Sequence, residues 1–269
     1  MPMHDWTRVP SGLFHDFHQR WTAALSNALN AGCLPKGFYA LVEQRVEEDQ
    51  PGLESAWVQS LADSRDAAHA IIARARVAEP GLATVLAANS AQPLYRGVRD
   101  MSSPLTIGSA EFTAGFHTIA DTGASLEVLV PHAKYDAVCA LADSRPDAQI
   151  VLGHAGLAEH NDSDYFRAWS QKLDVFAARP NVTVKISALA SGRDPEWTVA
   201  SIKPWVRRCV EVFGPDRAMF GTNWPIDRLF GTYERLVSAY RECTDDLTAR
   251  ERNALFVDTA TRIYQLNAD

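Results

Sequence analysis

The sequence predicts an α/β fold, a TIM-like (β/α)8 barrel that is incomplete or atypical at its first strand and carries an N-terminal amphipathic helix. Three observations predict it. From residue 38 onward, short β-branched runs alternate with helical stretches, which implies a parallel sheet with helices outside. The length of 269 residues suits one barrel of about 250 residues better than two small domains. Chemically capable side chains fall just after the strand candidates, where the βα loops of a barrel converge.

The first 37 residues stand apart. Phe14, Phe17, Trp21, Ala24 or Leu25, and Ala28 recur in steps of three and four, the spacing of one helical face. Asn30, Ala31 and Gly32 supply a left-handed stop, and Pro35 bars continuation. The chain therefore reads as a helical extension over 1–37 followed by a barrel unit over 38–269. Strands are expected at 39–46, 69–76, 95–99, 126–130, 149–152, 182–186 and 218–220. Helices are expected at 53–62, 81–88, 110–122, 135–143, 165–178, 198–213, 231–243 and 248–264. Seven strands are one short of a closed barrel, and the shortage lies at the front. Exposed sheet edges invite pairing, so either Phe14, Phe17 and Trp21 cover the gap or two copies pair there as a homodimer.

Composition excludes several function classes. The formal charge is −7 with Lys and Arg scattered, which is no nucleic-acid footprint. No apolar run approaches the roughly 20 residues needed to cross a bilayer, and the start lacks the basic and apolar regions of a signal peptide. Cys33, Cys139, Cys209 and Cys243 are far apart and form no CxxC pair, as in proteins whose thiols stay reduced. A cytoplasmic protein acting on a small molecule, with no membrane or nucleic-acid partner, is the expectation.

Reading the strand ends gives Glu43, Arg99, His132, His154, Lys185, Ser187, Asn223 and Asp227. Histidines move protons near neutral pH; Arg99 and Lys185 can hold a carboxylate or a developing oxyanion. Lys185 interrupts an apolar strand, a costly placement unless the charge is paired, so it points either into the mouth or to an edge. His132 either contacts substrate or closes a turn. Arg99 either serves the site or ties loops, and Asp227 either acts chemically or caps a helix. Trp224 directly follows Asn223 and can stack on a ring. His15 and His18 lack further ligands for a zinc site and read as helix-surface residues.

The segments 95–99 (YRGVR), 150–156 (IVLGHAG), 180–187 (PNVTVKIS), 213–221 (FGPDRAMFG), 222–227 (TNWPID) and 261–264 (TRIY) resemble the amidohydrolase-related family, in its sugar-lactonase branch typified by L-fuconolactonase. The resemblance covers residues 38–269 and implies hydrolysis of a lactone or related cyclic acid by water. It implies His154, Asn223 and Asp227 as catalytic residues, and Arg99, His132, Lys185, Trp224 and Glu43 as substrate-binding residues. The front of the chain, through 3–8 (MHDWTR), 14–18 (FHDFH) and 29–32 (LNAG), resembles instead the start of a bacterial family of uncharacterised function, so the chain reads as a fusion. The chain departs from the amidohydrolase pattern in two places. The first-strand His-x-His of the family is missing, so no cofactor and no tightly bound divalent metal is expected. Asn223 stands where the family commonly has Asp; an amide cannot take a proton from water, which leaves that task to Asp227. The rival expectation is a catalytically inactive barrel, left by gene fusion and acting as a binding or scaffold protein.

Overall fold

The computed structural model describes residues 52–65, 68–190 and 194–266. The helix expected within 1–37, the strand at 39–46, Glu43 and Cys33 lie outside them. In chain order the elements are α1 (Leu53–Arg65), β1 (Ile71–Arg74), α2 (Leu82–Ser90), β2 (Tyr95–Asp100), α3 (Ser103–Thr106) and α4 (Ala110–Asp121). Then come β3 (Ser125–Val128), α5 (Tyr135–Ser144), β4 (Ile150–Leu152), α6 (Ser163–Ala177), β5 (Val182–Ile186), α7 (Val199–Phe213) and β6 (Ala218–Phe220). Three helices close the described chain: α8 (Tyr233–Cys243), α9 (Ala249–Asn253) and α10 (Thr259–Ile263).

All six strands are parallel and pair in sequence order, β1 to β6. Among the described residues the sheet does not close, because β1 and β6 are each paired on one side only. The described residues thus form the open, parallel TIM-type wall that the sequence predicts.

The two faces of the sheet differ in chemistry. Val98, Leu126, Val128, Ile150, Leu152, Val182, Val184 and Ile186 point outward into one core shared with Phe112, Phe116, Trp169, Phe176 and Trp205 of the helices. The alternate residues face inward, as the two-residue period of a strand requires. Val151 and Met219 join Ala70, Ile263 and Tyr264 in a smaller inner cluster, so the last helix floors the barrel. Arg99, Glu127 and Lys185 form a charged layer above it. Burial of both faces explains why the strands read as nearly continuous apolar runs interrupted by isolated charges.

Helix starts follow cap chemistry. Ser109, Asp162, Thr198, Thr232 and Thr248 each accept a hydrogen bond from a backbone N–H of the first turn, which satisfies donors left over at a helix N-terminus. The helix expected at 248–264 is broken by a π-turn over Ala254–Asp258. No helix among the described residues is long and apolar enough to cross a membrane.

One contact fixes the wall close to the mouth. A Cβ on Gly115 of α4 would collide with the Val77 carbonyl oxygen, and that loop cannot retreat because the Val77 N–H donates to Asp100 Oδ2 at 2.8 Å. Gly115→Ala is expected to destabilise the protein by about 1–3 kcal/mol through overpacking, despite the better helix propensity of Ala. A denaturant titration with an unchanged or raised midpoint contradicts this.

Candidate active site

The inner charged layer is built by strand register. Arg99 of β2 and Glu127 of β3 are direct partners across the ladder, so parallel pairing sets guanidinium and carboxylate side by side. Arg99 donates through Nε and Nη2 to Glu127 Oε2, both at 2.7 Å. Lys185 of β5 pairs with the other oxygen, Oε1. Glu127 is only 1% exposed. Burial pushes its carboxyl up, but Arg99 and Lys185 outweigh that and hold it down at about 2. Sequence reasoning missed Glu127. Its signal was a charge in an apolar strand with the same inward parity as Arg99 and Lys185.

His154 follows β4, and its Nδ1 lies 2.9 Å from Ser187 Oγ, just past the end of β5. Loss of solvent around the ring, then the nearby Arg99 and Lys185 cations, depress its pKa to about 3 against a smaller opposite pull from Glu127. The imidazole is therefore neutral at ordinary pH, suited to giving or taking a hydrogen bond and poor as a base. The backbone here is unusual: His154, Ala155, Gly156 and Leu157 all have positive φ, between 52° and 71°. Each non-glycine residue in that region costs about 1–2 kcal/mol, so the turn persists only where its surroundings hold it.

After β6, Asn223 also has positive φ, 51°, and its Nδ2 donates to Asp227 Oδ1 at 2.8 Å. Asp227 sits in a short 3-10 turn, Ile226–Leu229, where no side chain caps the N-terminus; the capping alternative does not hold. Asp227 as a residue is 2% exposed, and its Oδ2 has no hydrogen-bond partner among the described residues. Burial raises its pKa to about 6, against a smaller opposite effect of the Asn223 bond. Trp224 packs edge-on against Tyr233 at 5.5 Å, and His132 packs edge-on against Tyr165 at 4.8 Å. Trp224 Nε1 and His132 Nδ1 are likewise buried polar atoms without a hydrogen-bond partner among the described residues.

The structure thus links Arg99 and Lys185 through Glu127, ties His154 to the end of β5, and pairs Asn223 with Asp227. Since β4, β5 and β6 are neighbours, the last two groups occupy adjacent strand ends. A hollow of about 240 Å³ lies at the opposite end of the sheet, between the starts of β3 and β4 and Arg262 and Ile263, and holds none of the candidate residues. The described part of this donor set does not suit a divalent metal. Among the described residues no three His, Cys, Asp or Glu side chains converge, and the inner carboxylate is already paired with two cations.

A parallel barrel wall with polar side chains at its C-terminal strand ends defines a TIM-type α/β protein. The amidohydrolase family model matches residues 43–266, and the chain belongs to that family. It is 31% identical over 228 residues to an uncharacterised protein, y4mH, of Sinorhizobium fredii, a match covering 80% of this chain and 76% of the relative. It is 32% identical over 173 residues to an L-fucono-1,5-lactonase of Burkholderia multivorans, covering 60% of this chain and 57% of the lactonase. An L-fucono-1,5-lactonase of Burkholderia ambifaria is 26% identical over 190 residues, with coverage of 68% and 65%. Among solved structures, an amidohydrolase from Burkholderia multivorans with bound HEPES superposes with a TM-score of 0.77 at 26% identity, over 91% of this chain and 88% of that one. A second crystal form of that protein, with bound zinc, gives a TM-score of 0.76 at 26% identity over the same shares of the two chains.

Proposed function

We propose that this amidohydrolase opens a small lactone of the sugar-acid type by attack of water. One observation carries the reading: a buried carboxyl, Asp227, with a pKa raised to about 6, an oxygen without a partner among the described residues, and an amide holding the other oxygen in place. A base poised near the working pH is what general base catalysis needs. In this scheme the Asp227 carboxylate takes a proton from water as the water oxygen bonds to the lactone carbonyl carbon. The ring C–O bond then breaks, and the departing oxygen recovers that proton from Asp227, leaving a hydroxy acid. Asn223 orients the base. Neutral His154 hydrogen-bonds the reacting oxygen, while Arg99 and Lys185 keep the inner wall cationic beside the forming carboxylate. His132 and Trp224 border the substrate, and Glu43 belongs to the same proposed set. The names of the two lactonase relatives support the substrate class.

A pH-stat screen of aldonolactones tests this, and turnover is expected to rise with pH through a limb near 6. The sign comes from the base: below its pKa Asp227 holds the proton and cannot accept another. A flat profile between pH 5 and 8 would remove Asp227 from the scheme. The replacement of the family's acid by Asn223 favours a second reading, an inactive barrel that binds rather than hydrolyses. Failure of every lactone to turn over supports that rival.

A further inference from the structure

The left-handed turn at 154–157 is held from outside. Three successive carbonyls each accept a hydrogen bond from a different aromatic side chain. Trp169 Nε1 donates to Ala155 O at 2.8 Å, Tyr135 Oη to Gly156 O at 2.6 Å, and Tyr165 Oη to Leu157 O at 3.1 Å. Trp169 and Tyr135 are fully buried in the outer core, so their donors would be stranded if the turn relaxed. A Cβ on Gly156 would collide with the Tyr135 hydroxyl, which fits a turn pressed directly onto that donor. Tyr165 has a second task, because its ring meets His132 edge-on at 4.8 Å.

We propose that Tyr135, Trp169 and Tyr165 are positioning residues: together they lock the left-handed turn that swings the His154 ring off the axis of β4 and onto Ser187. A strand continuing with ordinary backbone angles would send residue 154 elsewhere, since a change of φ sign redirects Cβ. The core helices α5 and α6 thereby set the aim of a residue at the mouth. Tyr165, shared between the turn and His132, couples two of the site's histidines.

The inference rests on reading His154 as a site residue, and its test does not depend on turnover alone. Tyr135→Phe keeps the ring and removes only the donor. Long-range proton–nitrogen spectra of the imidazoles, with His154 assigned through His154→Ala, are expected to show one fixed tautomer in the wild type. In Tyr135→Phe the His154 signals should shift or split, while those of His117, remote on α4, stay in place. With an active lactone, kcat should fall about 10- to 100-fold, as misplaced catalytic groups do, with KM within about twofold. Should Tyr135→Phe fail to fold by circular dichroism, Tyr165→Phe, at a half-buried position, carries the same readout. Unchanged His154 signals in the folded variant overturn the proposal, whatever happens to turnover. Altered signals in a protein that turns over no lactone uphold it and overturn only the hydrolytic reading.

Discussion

Glu127→Gln is expected to cost the folded protein about 3–5 kcal/mol, the usual result of breaking a buried ion pair on one side. The change is isosteric, so packing is preserved. It leaves a guanidinium and an ammonium facing each other across an amide, both largely out of water. Equilibrium unfolding in urea measures the loss, and a change below about 1 kcal/mol, the scale of an exposed pair, would show the layer to be solvated. The pH dependence has a definite sign. The folded carboxyl, near 2, lies below its ordinary value of 4.5, so its stabilisation is complete above about 4.5 and fades as pH falls toward 2. The variant should lack that acid-side decline. Replacing all three charges with apolar residues of similar volume should recover most of the stability, as with other buried ion clusters.

Asp227→Asn is expected to lower lactone turnover by about 10²–10⁴-fold, the range that a general base supplies, while leaving the fold intact. The amide retains a hydrogen-bonding group beside Asn223 but cannot accept a proton from water. Stability should hold or improve near neutral pH. The folded carboxyl, raised to about 6 from 3.8, is harder to ionise than in the unfolded chain, so above pH 6 its charge opposes folding. Activity and stability therefore move in opposite directions at one residue. Turnover within about tenfold of wild type would assign the base elsewhere.

Legibility in the sequence depended on burial. Strands β5 and β6 match the expected ranges of 182–186 and 218–220 because both faces of the wall are covered, giving compact apolar runs with sharp ends. Lys185 could be singled out by the cost of burying its charge, and the same logic applied to Glu127 would have paired it with Arg99. A charge inside an apolar strand announces a partner, but only the ladder register says which one. The turn at His154 was illegible, since Ala155 and Leu157 carry no preference for positive φ and are held there by distant aromatic donors. The π-turn was hidden too: apolar periodicity runs on through residues 248–264 whether or not one extra residue is accommodated.

That extra residue has a consequence for how the barrel comes apart. A π-turn rotates the downstream residues relative to a regular helix, and here it lets one continuous segment touch two compartments. Within the π-turn Leu255 belongs to the outer core; beyond it Ile263 and Tyr264 join the inner cluster. Ile263 and Tyr264 are therefore packed against the inner wall. Lifting this segment would open the inner cluster and the wall behind β6 together, so hydrogen exchange is expected to expose the last helix and the inner strand residues in one event.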